Sequence, residues 1–203
     1  MIGVNDTNIG RLILVRHGES EGNRDRRFTH STEVPLTERG REQARTVAAT
    51  IRKRFAPACV VASPFARARE TGEIIAAALA LPLEIEPDVC EQHLGALMGQ
   101  PYDTVRDDPS FDPTRRWEWR PPGGESLLEV QARVGPVLDR LARSQSGGDV
   151  VVVAHAGVLM AAWAYVARSW DAAPVAPAIP NAGIVLVEHN NGAYRLPVRI
   201  EEA

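Results

Sequence analysis

Short runs of branched apolar residues recur along the chain, and charged or polar side chains follow several of them directly. A run of this length without helical periodicity is typical of a buried strand. Three runs end near a side chain that can carry positive charge: residues 12–15 before Arg16 and His17, residues 59–62 before Arg67, and residues 150–154 before His155. Because the carboxyl ends of parallel strands meet at one edge of an open α/β sheet, where ligands bind, we expect these side chains to converge there.

Segments with apolar residues at three- and four-residue spacing separate these runs and predict four helices. The first begins near Leu36 with Thr37 as its cap, the second runs from about Phe65 to Leu79 before Pro82, the third begins with a capping box at Ser126, and the fourth follows His155. Pro136 lies inside the third helix, where it could produce a kink.

The C-terminal part predicts two further strands, near residues 184–188 and 194–198, around a turn at residues 190–192. His189 is expected to be a solvated turn residue. The alternation of strands and helices predicts an α/β fold, a three-layer sandwich with a mostly parallel central sheet and helices on both faces. A length of 203 residues fits one domain over residues 1–203.

Periodicity fails between about residues 91 and 124, where prolines interrupt a stretch rich in Arg, Trp and Asp. Irregular segments of this length inside a domain are usually functional or mobile. We therefore interpret residues 91–124 as a partly helical lid over the site that contains His17. Trp117 and Trp119 are expected to pin this lid to the body of the protein.

Composition narrows the expected partners and location. The formal net charge is −3 and the 23 Lys and Arg are scattered, so we expect no nucleic-acid partner. No apolar stretch approaches the roughly 20 residues of a membrane span, and residues 1–10 lack the features of a secretory signal. We therefore expect no membrane association and a cytoplasmic location. Two cysteines do not make a disulfide framework, and the oligomeric state is left open.

Two histidines and two arginines at one edge of a sheet would bind an anion, and phosphate is the one that best matches guanidinium donors. His17 is the candidate nucleophile, because a neutral imidazole can form a covalent intermediate with a phosphoryl group. Arg16, Arg67 and His155 would stabilise that group, with Asn23 as a neutral donor.

Glu91, near the start of the predicted lid, has the chemistry of a proton donor and acceptor. Burial would favour its neutral form, whereas surrounding cations would favour its ionised form. Cys90 and His93 stand beside it, but this spacing lacks the paired ligands of a structural zinc site. We therefore expect neither a metal nor a cofactor.

These residues stand in motifs that resemble those of the histidine phosphatase superfamily, also called the phosphoglycerate mutase-like family. The matching segments follow the family's order: residues 16–19 around the first histidine, Asn23, residues 63–68 with the second arginine, residues 91–95 with the general acid, and residues 154–157 with the second histidine. The resemblance implies a metal-independent phosphomonoesterase that acts on small phosphorylated metabolites through a phosphohistidine at His17.

Features of two branches of this family occur together. Residues 23–29 and the pair Arg115 and Arg116 are similar to the mutase pattern that holds a phosphorylated carboxylic acid, whereas residues 122–126 lead at once into a helix, as in phosphatases. His30 stands where mutases have glycine, and Leu94 where they have tyrosine. The resemblance makes six residues candidates for substrate binding: Asn23, Thr29, His30, Arg115, Arg116 and Ala156.

Two other functions stay open beside the phosphatase. A cofactor-dependent phosphoglycerate mutase would return the phosphoryl group to another hydroxyl instead of to water. A non-catalytic module that binds phosphorylated ligands would keep the pocket without turnover, although the presence of both a nucleophile and a proton donor argues against it.

Overall fold

The structure is a computed structural model that describes residues 9–29, 31–144, 148–173, 179–190 and 193–200. His30 and residues 191–192 of the predicted turn lie outside the described residues. Within the described part of the chain, no helix has the length and apolar character needed to cross a membrane.

Seven strands form one sheet in the order β3-β2-β4-β1-β5-β6, with β7 also paired to β5. The strands are β1 (Gly10–Arg16), β2 (Pro57–Ala62), β3 (Leu83–Ile85), β4 (Asp149–Ala154), β5 (Ile184–Asn190), β6 (Ala193–Tyr194) and β7 (Val198–Ile200). The first four are mutually parallel, whereas β5 is antiparallel to β1, β6 and β7. The predicted α/β fold is confirmed.

Helices cover both faces of this sheet. They are α1 (Glu21–Arg24), α2 (Glu38–Arg54), α3 (Ala66–Leu79), α4 (Leu127–Ser144) and α5 (Ala156–Ala167). Leu12 and Leu14 of β1 join the core formed with α4 and α5, whereas Ile13 and Val15 join the core formed with α2 and α3. Because successive strand residues point to opposite faces, one short run fills two cores. The three-layer arrangement follows.

The predicted helix starts are close to the observed ones because their capping residues act as expected. Thr37 Oγ1 accepts a hydrogen bond from the Gly40 amide at 3.0 Å. Ser126 Oγ accepts from the Glu129 amide at 3.2 Å, while a Glu129 carboxylate oxygen accepts from the Ser126 amide at 2.8 Å. These bonds satisfy amides that the helices themselves leave free. Helix α4 continues through Pro136.

Two predictions at the edges of the sheet need correction. Strand β3 is absent from the sequence prediction, because three residues are too short a run to indicate a strand and none of them is buried. The strand expected at residues 194–198 is divided into β6 and β7. Leu196 between them is 72% exposed, so this part of the chain leaves the sheet.

The predicted lid consists of isolated 3-10 turns at Gly95–Leu97, Tyr102–Asp107 and Pro113–Arg115. Its two ends are tied together, because the Ala96 amide donates to the Pro122 carbonyl and the Glu125 amide donates to the His93 carbonyl. Trp117 stacks on Trp170 with ring centroids 6.0 Å apart, so it pins the segment to the body as expected. Trp119 instead packs within the segment, against Phe111.

His189 is buried, which corrects the expectation of a solvated residue. Strand β5 extends through this position, and only 1% of the side chain is exposed. Neither ring nitrogen has a hydrogen-bond partner among the described residues. Burial lowers the pKa of His189, and the Asp149 carboxylate opposes this shift only in part. The folded protein therefore holds this ring in its neutral form.

We expect the free energy of unfolding to decrease as pH falls below the unfolded pKa of histidine, about 6.5. Below that value the unfolded chain binds a proton at His189 that the folded protein does not. His189→Leu should reduce the decrease by up to about 1.4 kcal/mol per pH unit. Urea unfolding at about pH 7.5 and about pH 5.5 measures it, with His93→Leu as the exposed control. An unchanged pH dependence in His189→Leu would contradict the prediction.

Candidate active site

The loop of the predicted nucleophile, residues 16–20 (the nucleophile loop), leaves β1 at the edge of the sheet where β4 also ends. Arg16 pairs with Ala154 in the parallel ladder of the two strands. One residue further on, the His17 amide donates to the Ala154 carbonyl at 2.9 Å, and the Ser63 amide after β2 donates to the Val153 carbonyl at 3.0 Å. The ladder thus continues past the strand ends and fixes the start of each loop.

Two glycines let the nucleophile loop lie directly on the first turn of α2. A Cβ on Gly18 would overlap the Gly40 carbonyl oxygen, and a Cβ on Gly40 would overlap the Glu19 carbonyl oxygen. The backbones therefore touch, which only glycine allows at both positions. The Gly18 amide also donates to Thr71 Oγ1 at 3.1 Å, and this hydroxyl donates to the Arg67 carbonyl at 2.8 Å. The loop is held by α2 and α3 together.

The hydrogen bonds of the His17 ring define its tautomer. Nδ1 lies 2.7 Å from the Gly18 carbonyl oxygen, which can only accept, so Nδ1 carries the proton. Nε2 accepts from Arg67 Nε at 3.1 Å. Burial, followed by the positive charges of Arg67 and Arg16, lowers the pKa of His17 well below its ordinary value. His17 is therefore a neutral imidazole with its lone pair on Nε2.

Two guanidinium groups, that of buried Arg67 and that of half-buried Arg16, have hydrogen-bond donors without partners among the described residues. Arg67, in the first turn of α3, is 2% exposed, and its Nη1 has no hydrogen-bond partner among the described residues. Arg16 donates through Nη1 to the Ile179 carbonyl at 2.7 Å, while its Nε is likewise unpartnered within the described residues. Burial lowers the pKa of both arginines, and Glu91 opposes it. Buried cationic donors of this kind suit an anion.

His155 packs edge-on against the His17 ring, with the two ring centroids 5.1 Å apart. It is the N-cap of α5, so the helix N-terminus at Ala156 adjoins the cluster. Its Nε2 is 2.8 Å from Ser63 Oγ, and its Nδ1 is buried without a partner among the described residues. Burial, then Arg67, lowers the pKa of His155 well below its ordinary value. This ring is neutral as well.

Glu91 completes the cluster at the start of the lid segment. A Cβ on Gly157 would lie 2.6 Å from Glu91 Oε1, so the carboxyl group packs against the first turn of α5. Oε1 accepts a hydrogen bond from the Gln92 amide at 2.9 Å. Burial raises the pKa of Glu91, while that hydrogen bond and the positive charges of Arg67 and Arg16 lower it, and burial prevails. Glu91 therefore keeps its proton to a higher pH than an exposed glutamate does.

Arg133 of α4 holds the backbone at Glu91 and at Asp88, three residues earlier. Its guanidinium forms a two-point ion pair with Glu125, at 2.9 and 3.0 Å. It also donates to the Asp88 carbonyl at 2.6 Å and to the Glu91 carbonyl at 3.4 Å. The placement of Glu91 therefore depends on an ion pair outside the cluster.

Asn23, the predicted neutral donor, joins the end of the nucleophile loop to α1. Its side-chain oxygen accepts from the Ser20 amide at 3.1 Å in the capping box of α1, and from Asn181 Nδ2 at 3.0 Å. Asn181 also donates to the His17 carbonyl at 3.2 Å. The Asn23 amide nitrogen donates to the Tyr102 hydroxyl at 3.0 Å, so the lid segment contacts the loop here.

Thr29, Arg115 and Arg116 are also predicted to bind the substrate, and the structure places the two arginines in the lid segment. Thr29 is half-buried beside Gly22. Arg115 is 63% exposed and forms an ion pair with Glu118, within the lid segment, at 2.6 Å. Arg116 is half-buried in the same segment. His30 lies outside the described residues, so its proposed contact has no structural description.

The sequence prediction missed several residues that the structure places at the site. Ser63, Thr71, Asn181 and Tyr102 each bond to a predicted site residue. Ser63 stood within the second arginine motif, which was a usable signal, whereas Tyr102 stood in an aperiodic segment. In the described part of the chain, no group of three or more His, Cys, Asp and Glu could hold a metal ion.

Comparison with known proteins assigns a family to this arrangement. The family model described as histidine phosphatase superfamily (branch 1) matches residues 12–200. The chain belongs to the histidine phosphatase superfamily. The solved structure of a mycobacterial glucosyl-3-phosphoglycerate phosphatase, described as a complex with VO3, is similar, with a TM-score of 0.81 and 28% identity over 93% of this chain and 96% of that one.

Curated members of the superfamily show the same relationship at the level of sequence. The bifunctional protein Rv2228c of Mycobacterium tuberculosis is 36% identical over 71% of this chain, which spans only 41% of that protein. A metal-independent phosphoserine phosphatase of Arabidopsis thaliana is 31% identical over 82% of this chain and 73% of its own length. A probable phosphoglycerate mutase of Photorhabdus laumondii is 32% identical over 71% and 69%. Relatives with phosphatase and mutase names therefore both occur.

Replacement of Arg67 by lysine should weaken the binding of inorganic phosphate. A guanidinium can donate through Nε to His17 and still present its other nitrogens, whereas one ammonium cannot do both from the same position. Loss of a charged hydrogen bond of about 1.5–3 kcal/mol corresponds to about 10- to 150-fold in Kd. Isothermal titration with phosphate measures it, with Arg69→Lys on the exposed side of α3 as the matched control. Equal affinity in Arg67→Lys and Arg69→Lys would show that Arg67 does not bind the anion.

Proposed function

We propose that the protein is a phosphomonoesterase that hydrolyses small phosphorylated metabolites through a phosphohistidine at His17. The observation that carries this proposal is the state of the His17 ring, which is neutral, has its proton on Nδ1 and keeps its lone pair on Nε2. A nucleophile needs this lone pair, and a protonated imidazole would lack it.

In the first step, the hydrogen bond from Arg67 Nε to His17 Nε2 breaks, the freed lone pair attacks phosphorus, and the bond from phosphorus to the ester oxygen breaks. The Glu91 carboxyl group gives its proton to the departing alkoxide, which leaves as an alcohol. Positive charge then develops on the His17 ring, and the Gly18 carbonyl oxygen at Nδ1 stabilises it. Arg16, Arg67 and His155 donate to the phosphoryl oxygens in this step.

In the second step, the Glu91 carboxylate takes a proton from water, and the water oxygen attacks phosphorus. The bond from phosphorus to Nε2 breaks, which restores neutral His17, and inorganic phosphate leaves. Glu91 is protonated again, so the cycle closes without a net change in the protein. The raised pKa of Glu91 supports its role as the acid of the first step.

The substrate contacts follow from the sequence motifs and stay proposals. The backbone at Ala156, at the N-terminus of α5, would bind a phosphoryl oxygen. Asn23, Thr29, His30, Arg115 and Arg116 would contact the remainder of an acidic substrate such as a phosphoglycerate or a sugar phosphate. The phosphatase names among the relatives support this substrate class and activity without a metal.

The wider organisation is proposed on the same basis. Residues 1–203 would form a single domain of this family, with the lid at about residues 91–124 selecting the substrate. The family match over residues 12–200 supports this proposal. Absence of nucleic-acid and membrane partners, and a cytoplasmic location, stay predictions from composition.

Analysis of the reaction products separates this proposal from the mutase alternative. The relative named as a probable phosphoglycerate mutase supports that alternative. With 3-phosphoglycerate, a phosphatase releases inorganic phosphate, whereas a mutase forms 2-phosphoglycerate. A screen of phosphorylated metabolites for phosphate release would identify the preferred substrate. Formation of 2-phosphoglycerate without phosphate release would transfer the proposal to the mutase.

His17→Ala should abolish turnover of p-nitrophenyl phosphate while the protein stays folded and still binds phosphate. The substitution removes the nucleophile and its contacts with Arg67 and His155, but His17 belongs to neither apolar core. Wild-type protein quenched during turnover should carry an acid-labile, base-stable phosphate, in the presence of excess chelator as well. Wild-type rates in His17→Ala would refute the covalent route, and a protein without any turnover would favour the binding module.

Glu91→Gln should slow the phosphorylation step strongly for an alkyl phosphate, by about 10²–10⁴-fold, and much less for p-nitrophenyl phosphate. The reason is that p-nitrophenolate leaves without a proton. Rapid-quench measurement isolates this first step from the hydrolysis in which Glu91 is the base. Glu73→Gln, exposed on α3, is the control. Equal losses with both substrates would assign the acid to another residue.

A further inference from the structure

Ser63 follows β2 and contacts the second histidine of the cluster. We propose that Ser63 is a positioning residue that holds His155 in the tautomer with its proton on Nδ1. In this tautomer the ring offers an N–H donor to the phosphoryl group. The donation from His155 to the phosphoryl group rests on the proposed function, whereas the tautomer of His155 is a property of the protein without a ligand.

Both partners are fully shielded from water. The relative exposure of Ser63 and of His155 is 0%, and Ser63 Oγ lies 2.8 Å from His155 Nε2. A neutral imidazole has one nitrogen that donates and one that accepts. The pair can therefore share its protons in two ways, and the surroundings decide between them.

The hydrogen bonds of the Ser63 hydroxyl favour one of these arrangements. Its oxygen already accepts from the Phe65 amide at 3.3 Å. Among the described residues, His155 Nε2 is the one acceptor bonded to this hydroxyl. If Ser63 donates to Nε2, every proton at this contact has an acceptor. If Nε2 donates to Ser63 instead, the buried hydroxyl proton has none, and a buried unsatisfied donor is costly.

The other ring nitrogen favours the same tautomer once an anion is bound, because only such a ligand would accept from a proton at Nδ1. His155 Nδ1 is buried and unpartnered within the described residues, in a ring that packs edge-on against His17. A lone pair at Nδ1 would repel the oxygens of an anion bound between His17, Arg16 and Arg67. A proton at Nδ1 would give those oxygens a fourth donor group beside the two arginines and the helix N-terminus.

The position of Ser63 is set by the sheet and not by the histidine. Its amide continues the ladder between β2 and β4 through the Val153 carbonyl at 3.0 Å, and Pro64 follows it directly. The hydroxyl therefore approaches Nε2 from a fixed backbone. Such an arrangement determines the tautomer before any ligand binds, which is the form of preorganisation expected of an electrostatic site.

The test is the ¹⁵N spectrum of histidine-labelled protein at neutral pH, with the His155 signals assigned by comparison with His155→Gln. We expect wild-type His155 to have a protonated Nδ1 and an unprotonated Nε2. Ser63→Ala should give a mixture of the two tautomers, and Ser63→Thr, which keeps a hydroxyl, should restore the wild-type signals. Ser126→Ala is the matched control, because it removes a buried capping hydroxyl of α4 and should leave the His155 signals unchanged.

Steady-state kinetics should agree with these spectra. We expect kcat for p-nitrophenyl phosphate to fall about tenfold in Ser63→Ala, the size of one lost hydrogen bond, with a smaller change in KM. Ser63→Thr should recover most of this loss. A role limited to folding would lower stability without changing the tautomer.

Wild-type protein with the proton on Nε2 of His155 would overturn the inference, whatever the activity. An unchanged His155 spectrum in Ser63→Ala would also overturn it. If Ser63→Ala does not fold, the wild-type spectrum still decides. If the tautomer is as expected but phosphate esters are neither bound nor hydrolysed, the proposed function fails while the assignment of Ser63 stands.

Discussion

The parallel pairing of β1 with β4 is the constraint on which the site depends. Because the ladder continues one residue beyond β1, where the His17 amide donates to the Ala154 carbonyl, the two histidines that follow β1 and β4 occupy fixed neighbouring positions. The same continuation between Ser63 and Val153 fixes the approach to α3 and therefore Arg67. The relative positions of the cationic groups are thus set by main-chain hydrogen bonds, and side-chain packing only completes them.

The cluster gathers two neutral histidines, two arginines and a carboxyl group, and His17, His155 and Arg67 among them are buried. Burying charged groups opposes folding unless they are paired, and here the pairing is incomplete, since donors of Arg16 and Arg67 are unmatched among the described residues. A bound anion would supply what the protein lacks. It should therefore stabilise the folded state as well as occupy the site, since a ligand that binds only the folded form adds to its stability.

The sequence predicted those parts of the molecule in which the signal is local. One such signal is the apolar run before Arg16 and His17, and another is the serine three residues before Glu129. Each depends only on residues that are neighbours in the sequence. His189 could not be placed in this way, because its burial depends on β5 extending past the expected end of the strand. The contacts of Trp119 and Tyr102 could not be predicted for a related reason. Their contacts depend on how an aperiodic segment folds back, which no periodicity encodes.

The closure of residues 91–124 at their base has a consequence for how proteins of this shape can diversify. The hydrogen bonds between Ala96 and Pro122 and between His93 and Glu125, together with the grip of Arg133, hold both ends of the segment beside Glu91. These contacts form a clasp that closes the loop, and the entropy lost on closure increases only slowly with the length of the loop. Residues between the clasp points can therefore be lengthened, shortened or exchanged while the carboxyl group keeps its place. Selection for a new ligand can act on one interchangeable insert, and the anion site beneath it need not change.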